Sequence, residues 1–239
     1  MTDRTAPIAV VLAQYPDDER DRRQAAVRAA APSGREVMFV EIEGSVYRKG
    51  LTNYHRSLVA PLVADAAVRA ERAGACAVVP YGTLDLGIEE ARHAVDIPVM
   101  GPGRTGTNIS ASVGSRLTVL CYDEPHVIMF RQLVRSWNVA HHIVGIRSVD
   151  VPITEMARDV EHLRRRFVET AHRALVEDGA DVILPLGMTM VPVLMSARSL
   201  ADEIGVPVTD PLALTLHAAD ALASIGFTNS RVAYPRVEL

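Results

Sequence analysis

The sequence predicts an α/β fold of two pseudo-symmetric domains, each with a mainly parallel four-stranded sheet, and three observations carry that expectation. Gly74-Ala75-Cys76-Ala77-Val78-Val79-Pro80-Tyr81-Gly82-Thr83 returns about 105 residues later as Gly179-Ala180-Asp181-Val182-Ile183-Leu184-Pro185-Leu186-Gly187-Met188. Each copy is followed by a helical stretch and a second short strand, 96–102 in one and 205–211 in the other. Strands alternate with helices throughout, the pattern of parallel sheets covered by helices on both faces. A duplicated unit whose strand ends carry Gly and Thr is suited to forming one active-site cleft between matching halves.

In chain order, Ile8 to Ala13 reads as a buried strand with Leu117 to Tyr122 as its counterpart, and Val37 to Ile42 pairs in the same way with His142 to Val149. Helical patterns run from Leu58 to Ala73 and from Glu155 to Glu177, each closed by a glycine suited to a left-handed cap. Asp210-Pro211 marks another helix start, an acidic cap with proline in the first turn, and that helix ends near Ser224-Ile225-Gly226. Thr105-Gly106-Thr107-Asn108 reads as a helix entry with a hydroxyl cap equivalent to Asp210. The domain boundary is expected in Gly101 to Gly106, so that residues 1–103 and 211–239 form the first domain and 104–210 the second. The charged runs Asp17 to Arg23 and Arg164 to Arg166 read as solvated helix faces.

Composition excludes several classes. The 239 residues are 49% hydrophobic and 23% charged with a net charge of −4, which offers no basic field for a nucleic-acid backbone. Apolar stretches are strand length and interrupted, and no secretory apolar segment follows the first residues, so no membrane partner and a cytoplasmic location are expected. The two cysteines, Cys76 and Cys121, lie in apolar strand patterns and read as buried structural thiols. His93, His141, His142, His162, His172 and His217 show no ligand spacing, so no metal is expected.

Parallel α/β sheets bind ligands beyond the carboxyl ends of their strands. Tyr81-Gly82-Thr83 and Gly187-Met188-Thr189 stand there, where a glycine lets backbone N–H groups approach an anion. A second group, Glu43 to Tyr47 with Asn53-Tyr54-His55, lies between a strand end and a helix; Tyr47, Tyr54 or His55 would carry or orient a proton. Gly101 to Gly106 lacks the lysine of a nucleotide-binding loop and the spacing of a dinucleotide fingerprint.

The duplicated strand and Gly turn, together with 91–101, 145–152 and 226–231, resemble the aspartate/glutamate/hydantoin racemase superfamily, most closely its hydantoin and allantoin racemase branch. The resemblance implies two Rossmann-like domains with a cofactor-free site in the cleft between them, a homo-oligomer, and a small carbonyl or carboxylate substrate. It also implies a pair of cysteines exchanging a proton at the carbon next to a carbonyl, one at or beside Gly82 and the other at Gly187 or Met188. Neither position holds a thiol. By analogy with the family the reaction expected is that of an isomerase or lyase, with oxygen and nitrogen groups in place of the thiols: Tyr47, His55, Tyr81, Thr83 and Thr189 as catalytic groups and Gln14, Gly82, Gly187 and Met188 holding substrate. Gln14 is included because Ala13-Gln14-Tyr15-Pro16 replaces an asparagine-bearing turn of the family. The alternative is a racemase fold that binds a small molecule without turnover.

Overall fold

Strand β1 (Ile8–Ala13) is apolar and buried at every position, as a central strand covered on both faces must be. The computed structural model describes residues 5–42 and 52–237. Helix α1 (Asp17–Ala30) leads to β2 (Val37–Ile42), then α2 (Asn53–Arg72), β3 (Ala77–Pro80) and α3 (Ile88–Ala94). After α4 (Pro102–Ser110) come β4 (Leu117–Cys121), α5 (Glu124–Ser136), β5 (Ile143–Ser148), α6 (Ile153–Met156), α7 (Val160–Arg173), β6 (Val182–Pro185), α8 (Ala197–Ile204) and α9 (Pro211–Ser224).

The strands form two parallel sheets ordered β2-β1-β3 and β5-β4-β6. Each has three strands where four were expected. The fourth is reduced to one bridging residue, Val99 beside Val78 and Val208 beside Ile183. Prolines limit it: Pro98 and Pro207 give only a carbonyl to the ladder, accepting from Val78 and Ile183, and Pro102 and Pro211 already begin helices. Met100 and Thr209 donate back to Val78 and Ile183 and complete the bridge.

The chain divides into two compact units, Met1–Pro102 with Thr215–Leu239, and Gly103–Leu214. The first has its core in Val11, Val59, Val63, Val78 and Ile88, where α2 and α3 pack on the sheet. The second has its core in Leu120, Leu163, Phe167, Ile183 and Leu200.

Several elements depart from the sequence pattern. Helix α2 starts five residues before Leu58, because Thr52 and His55 form a capping box: the Thr52 hydroxyl accepts from the His55 N–H, and the Thr52 N–H donates to His55 Nδ1. The long pattern 155–177 divides into α6 and α7, since Asp159 caps α7 by accepting from the His162 N–H at 2.8 Å. Gly74 and Gly179 are left-handed as expected, at φ 88° and 64°. Thr105 and Thr107 lie inside α4 and cap nothing; Pro102 opens that helix, and the Thr107 hydroxyl donates to Gly103 O one turn back. The position equivalent to Asp210 is therefore Gly101. Asp210 itself caps α9, accepting from the Leu212 and Ala213 N–H groups at 3.0 Å. Cys76 stands one residue before β3, and Arg23 in the first charged run is buried, with its guanidinium 4.0 Å from the Tyr15 ring centroid.

The tail after α9 has no regular structure but is anchored in the first unit. Asn229 donates to Val95 O and Ile97 O and accepts from the Val99 N–H, and Arg231 bonds the Asp96 carboxylate at 2.8 Å.

Candidate functional site

The two strand-end turns have the same backbone design. Strands β3 and β6 both end in proline, opposite Val11 and Leu120 respectively. Tyr81 N then donates to Val11 O at 2.9 Å, and Leu186 N to Leu120 O at 2.8 Å. Next come Gly82 at φ 144° and Gly187 at φ 130°, a conformation that side chains with a Cβ rarely adopt. Gly82 O accepts from Asp85 N and Gly187 O from Met190 N, closing each turn. Among the described residues, the N–H groups of Gly82, Thr83 and Met188 donate to no protein acceptor. Such groups are available to an oxyanion.

The turns differ in what stands beside the glycine. The shared register makes Ala13 of the first unit equivalent to Tyr122 of the second. Among the described residues, a Cβ built on Gly82 meets no atom within 4 Å, whereas one built on Gly187 falls on the phenol ring and hydroxyl of Tyr122. Tyr122 is 8% exposed and packs edge-on to His126, with ring centroids 5.1 Å apart. His126 is held in turn by Asp123, the cap of α5, whose Oδ1 lies 2.6 Å from Nδ1 and accepts the His126 backbone N–H at 3.1 Å. Sequence reasoning missed this trio. Its signal was Asp123-Glu124-Pro125-His126, an N-cap with proline in the first turn, directly after a strand.

In the first unit the turn continues through Asp85, buried and left-handed at φ 52°. Its carboxyl occupies the space that a Cβ on Gly101 would take, just before α4. Arg56, in the first turns of α2, lies in the field of Asp85 and Glu90; burial lowers the pKa of its guanidinium despite those carboxylates.

Of the residues expected from sequence, Tyr81 and Thr83 are buried in the first turn with Gly82, and Met188 and Thr189 follow Gly187 in the second. Gln14 is exposed just after β1. The Nδ1 of His55 is taken up by the capping box, 2.9 Å from the Thr52 hydroxyl. Tyr54 is 70% exposed on α2. Tyr47 lies outside the described residues. Both thiols are buried: Cys76 donates to Ala6 O at 3.3 Å, and burial pushes the Cys76 thiol up and the Cys121 thiol well up from the usual cysteine value. Among the described residues, no three His, Cys, Asp or Glu side chains are grouped so as to hold a metal ion, and no helix is long and apolar enough to cross a membrane.

The chain is 27% identical over 161 residues to the hydantoin racemase of Rhizobium meliloti, a match covering 64% of this chain and 64% of that relative's length. Its fold is similar to that of allantoin racemase from Klebsiella pneumoniae, with a TM-score of 0.85 at 22% identity over 98% of this chain and 95% of the other. Allantoin racemase from Pseudomonas fluorescens aligns with a TM-score of 0.86 at 20% identity, over 98% and 97% of the two chains. The family model for Asp/Glu/hydantoin racemases matches residues 21–219. Two parallel β2-β1-β3-type sheets, a glycine turn closing the third strand of each, and that match make this chain a member of the Asp/Glu/hydantoin racemase family.

Proposed function

We propose that the protein is a cofactor-independent isomerase that moves a proton at the carbon next to a carbonyl of a small cyclic amide or carboxylate, with lyase chemistry at the same carbon as the variant reaction. The observation that carries this reading is that each unit has the same glycine turn, with N–H groups at Gly82 and Thr83 in one and at Met188 in the other that donate to no acceptor among the described residues and suit an oxyanion such as an enolate oxygen. Membership of the family and the likeness to a hydantoin racemase support the substrate class.

Position 82 and positions 187 and 188 carry no thiol, and both cysteines are buried. The proton therefore travels on oxygen or nitrogen, and Tyr81, Thr83 and Thr189 are the groups nearest the turns in sequence; Tyr47 and His55 complete the set, with Gln14 as a substrate contact. Family resemblance further supports a homo-oligomer in the cytoplasm. The same lack of thiols favours a second reading, a small-molecule-binding protein without turnover.

Incubation with 5-substituted hydantoins, allantoin and substituted malonates in deuterated water separates the two. Deuterium entering the carbon next to the carbonyl, or loss of CO2, is the expected result, and Thr83→Ala with Thr189→Ala should lower it. Saturable binding with no exchange and no product across the panel would establish the binding protein instead.

A further inference from the structure

The second turn is already occupied by a proton-bearing group. The volume that a side chain at position 187 would fill is taken by the ring and hydroxyl of Tyr122, delivered from the end of the neighbouring strand β4. The phenol stands over Gly187, the residue before Met188, and its ring is fixed by burial and by the edge of His126, itself anchored on Asp123. The equivalent residue in the first unit is Ala13, which has no group to offer, and no described residue fills the space over Gly82. A buried phenol whose hydroxyl lies where a side chain on residue 187 would stand is a candidate acid–base group at a strand-end site.

We propose that the Tyr122 hydroxyl is the proton-carrying catalytic group of the second turn, a role that rests on the isomerase reading above. In the step, one of the oxygen or nitrogen bases named above takes the proton of the substrate C–H bond, whose electron pair passes into the enolate; the O–H bond of Tyr122 then breaks as its proton passes to the enolate carbon. The enolate electron pair forms the new C–H bond, the phenolate regains a proton from water, and the hydroxide so formed takes up the proton held by the first base. In the opposite direction the phenolate takes the proton from the same carbon. His126 and Asp123 fix the ring without touching substrate.

The test compares the wild-type chain with Tyr122→Phe, which keeps the ring and its contact with His126 and removes only the hydroxyl. Deuterium uptake into 5-benzylhydantoin should fall at least about 100-fold, the scale of a lost acid–base group. Binding of 5-benzylhydantoin by calorimetry should change less than about threefold, since an acid–base group acts chiefly in the transition state. In protein carrying 13Cζ-tyrosine, the resonance absent from Tyr122→Phe should shift when 5-benzylhydantoin is added to the wild type. Exchange by Tyr122→Phe at the wild-type rate, or an unmoved Tyr122 resonance at saturating ligand, would overturn the assignment. A wild-type chain that exchanges nothing while the resonance shifts would sink the enzyme reading and leave Tyr122 a binding contact, which also overturns proton transfer.

Discussion

Asp178 holds Arg147 with both carboxylate oxygens, Oδ2 accepting from Nε at 2.7 Å and Oδ1 from Nη2 at 2.6 Å. Arg147 is part of β5, and Asp178 lies against that strand where Gly145 leaves room, since a Cβ there would fall on the carboxylate; the Thr118 hydroxyl also donates to Oδ2. Hydrogen bonding and the charge of Arg147 hold the Asp178 carboxyl below its ordinary value, and both side chains are mostly buried.

A depressed carboxyl stabilises the fold above the unfolded-state value, about 4, and that contribution disappears as pH falls through the folded value. Asp178→Asn should therefore cost about 1–2 kcal/mol near neutral pH, between the exposed and fully buried cases. The gap from wild type should be smaller in acid, once the pH has fallen through the folded value, than at pH 7. Urea unfolding at the two pH values measures it.

Asn229 satisfies three backbone groups of the 95–99 segment from the tail. Its replacement by alanine leaves two carbonyls and one N–H without that partner and should destabilise the chain by about 2–4 kcal/mol. Asn229→Asp retains the acceptor but faces Val95 O and Ile97 O with a carboxylate, so it should not restore stability. Thermal unfolding of both variants gives the comparison.

The two turn glycines should tolerate a side chain unequally. Both have positive φ, so alanine at either carries a backbone penalty of about 1–3 kcal/mol. Gly82→Ala meets no atom of the described residues and should cost little beyond it, whereas Gly187→Ala must also displace Tyr122. Tyr122→Ala should then partly rescue Gly187→Ala and leave Gly82→Ala unaffected. A double-mutant cycle in denaturant reads that coupling directly.

The thiols should be silent in the folded chain. Cys121 is fully buried and Cys76 nearly so, each with its thiol pushed up by burial. A thiol reagent at pH 8 should modify neither at an appreciable rate until urea is added. The variant with Cys76→Ala and Cys121→Ala should retain the exchange activity of the wild type, at a stability cost of about 1–3 kcal/mol from the two small cavities. Loss of exchange in a folded double variant would contradict a non-thiol mechanism.

Strands β1, β3, β4 and β6 were legible because buried parallel strands read as nearly continuous apolar runs, and the partly exposed 37–42 is delimited in sequence as it is in the structure. Helix boundaries were less so. Apolar periodicity carries through a break such as 157–159, where a local Asp159 cap decides the outcome, and glycine at 103 and 106 suggested a loop where Pro102 starts a helix. Gly106 lets that helix pack closely on Leu184, since a Cβ there would come within 3.2 Å of the leucine side chain. The turn glycines could be read because φ leaves a mark on composition. Tyr122 could not be placed at Gly187 from sequence, since the contact joins residues 65 positions apart and depends on the pairing of β4 with β6.

The division into Met1–Pro102 with Thr215–Leu239, and Gly103–Leu214, has a consequence for synthesis on the ribosome. The second unit is contiguous and can close as soon as Leu214 has emerged. The first must wait, half-built, for a segment translated last, because Asp220 of α9 takes Arg35 at 2.6 Å and Asn229 closes the strand around Val99. The nascent chain thus completes its inserted unit before its enclosing one. Premature termination after Leu214 would leave a finished second unit attached to an unfinished first, a product prone to aggregation.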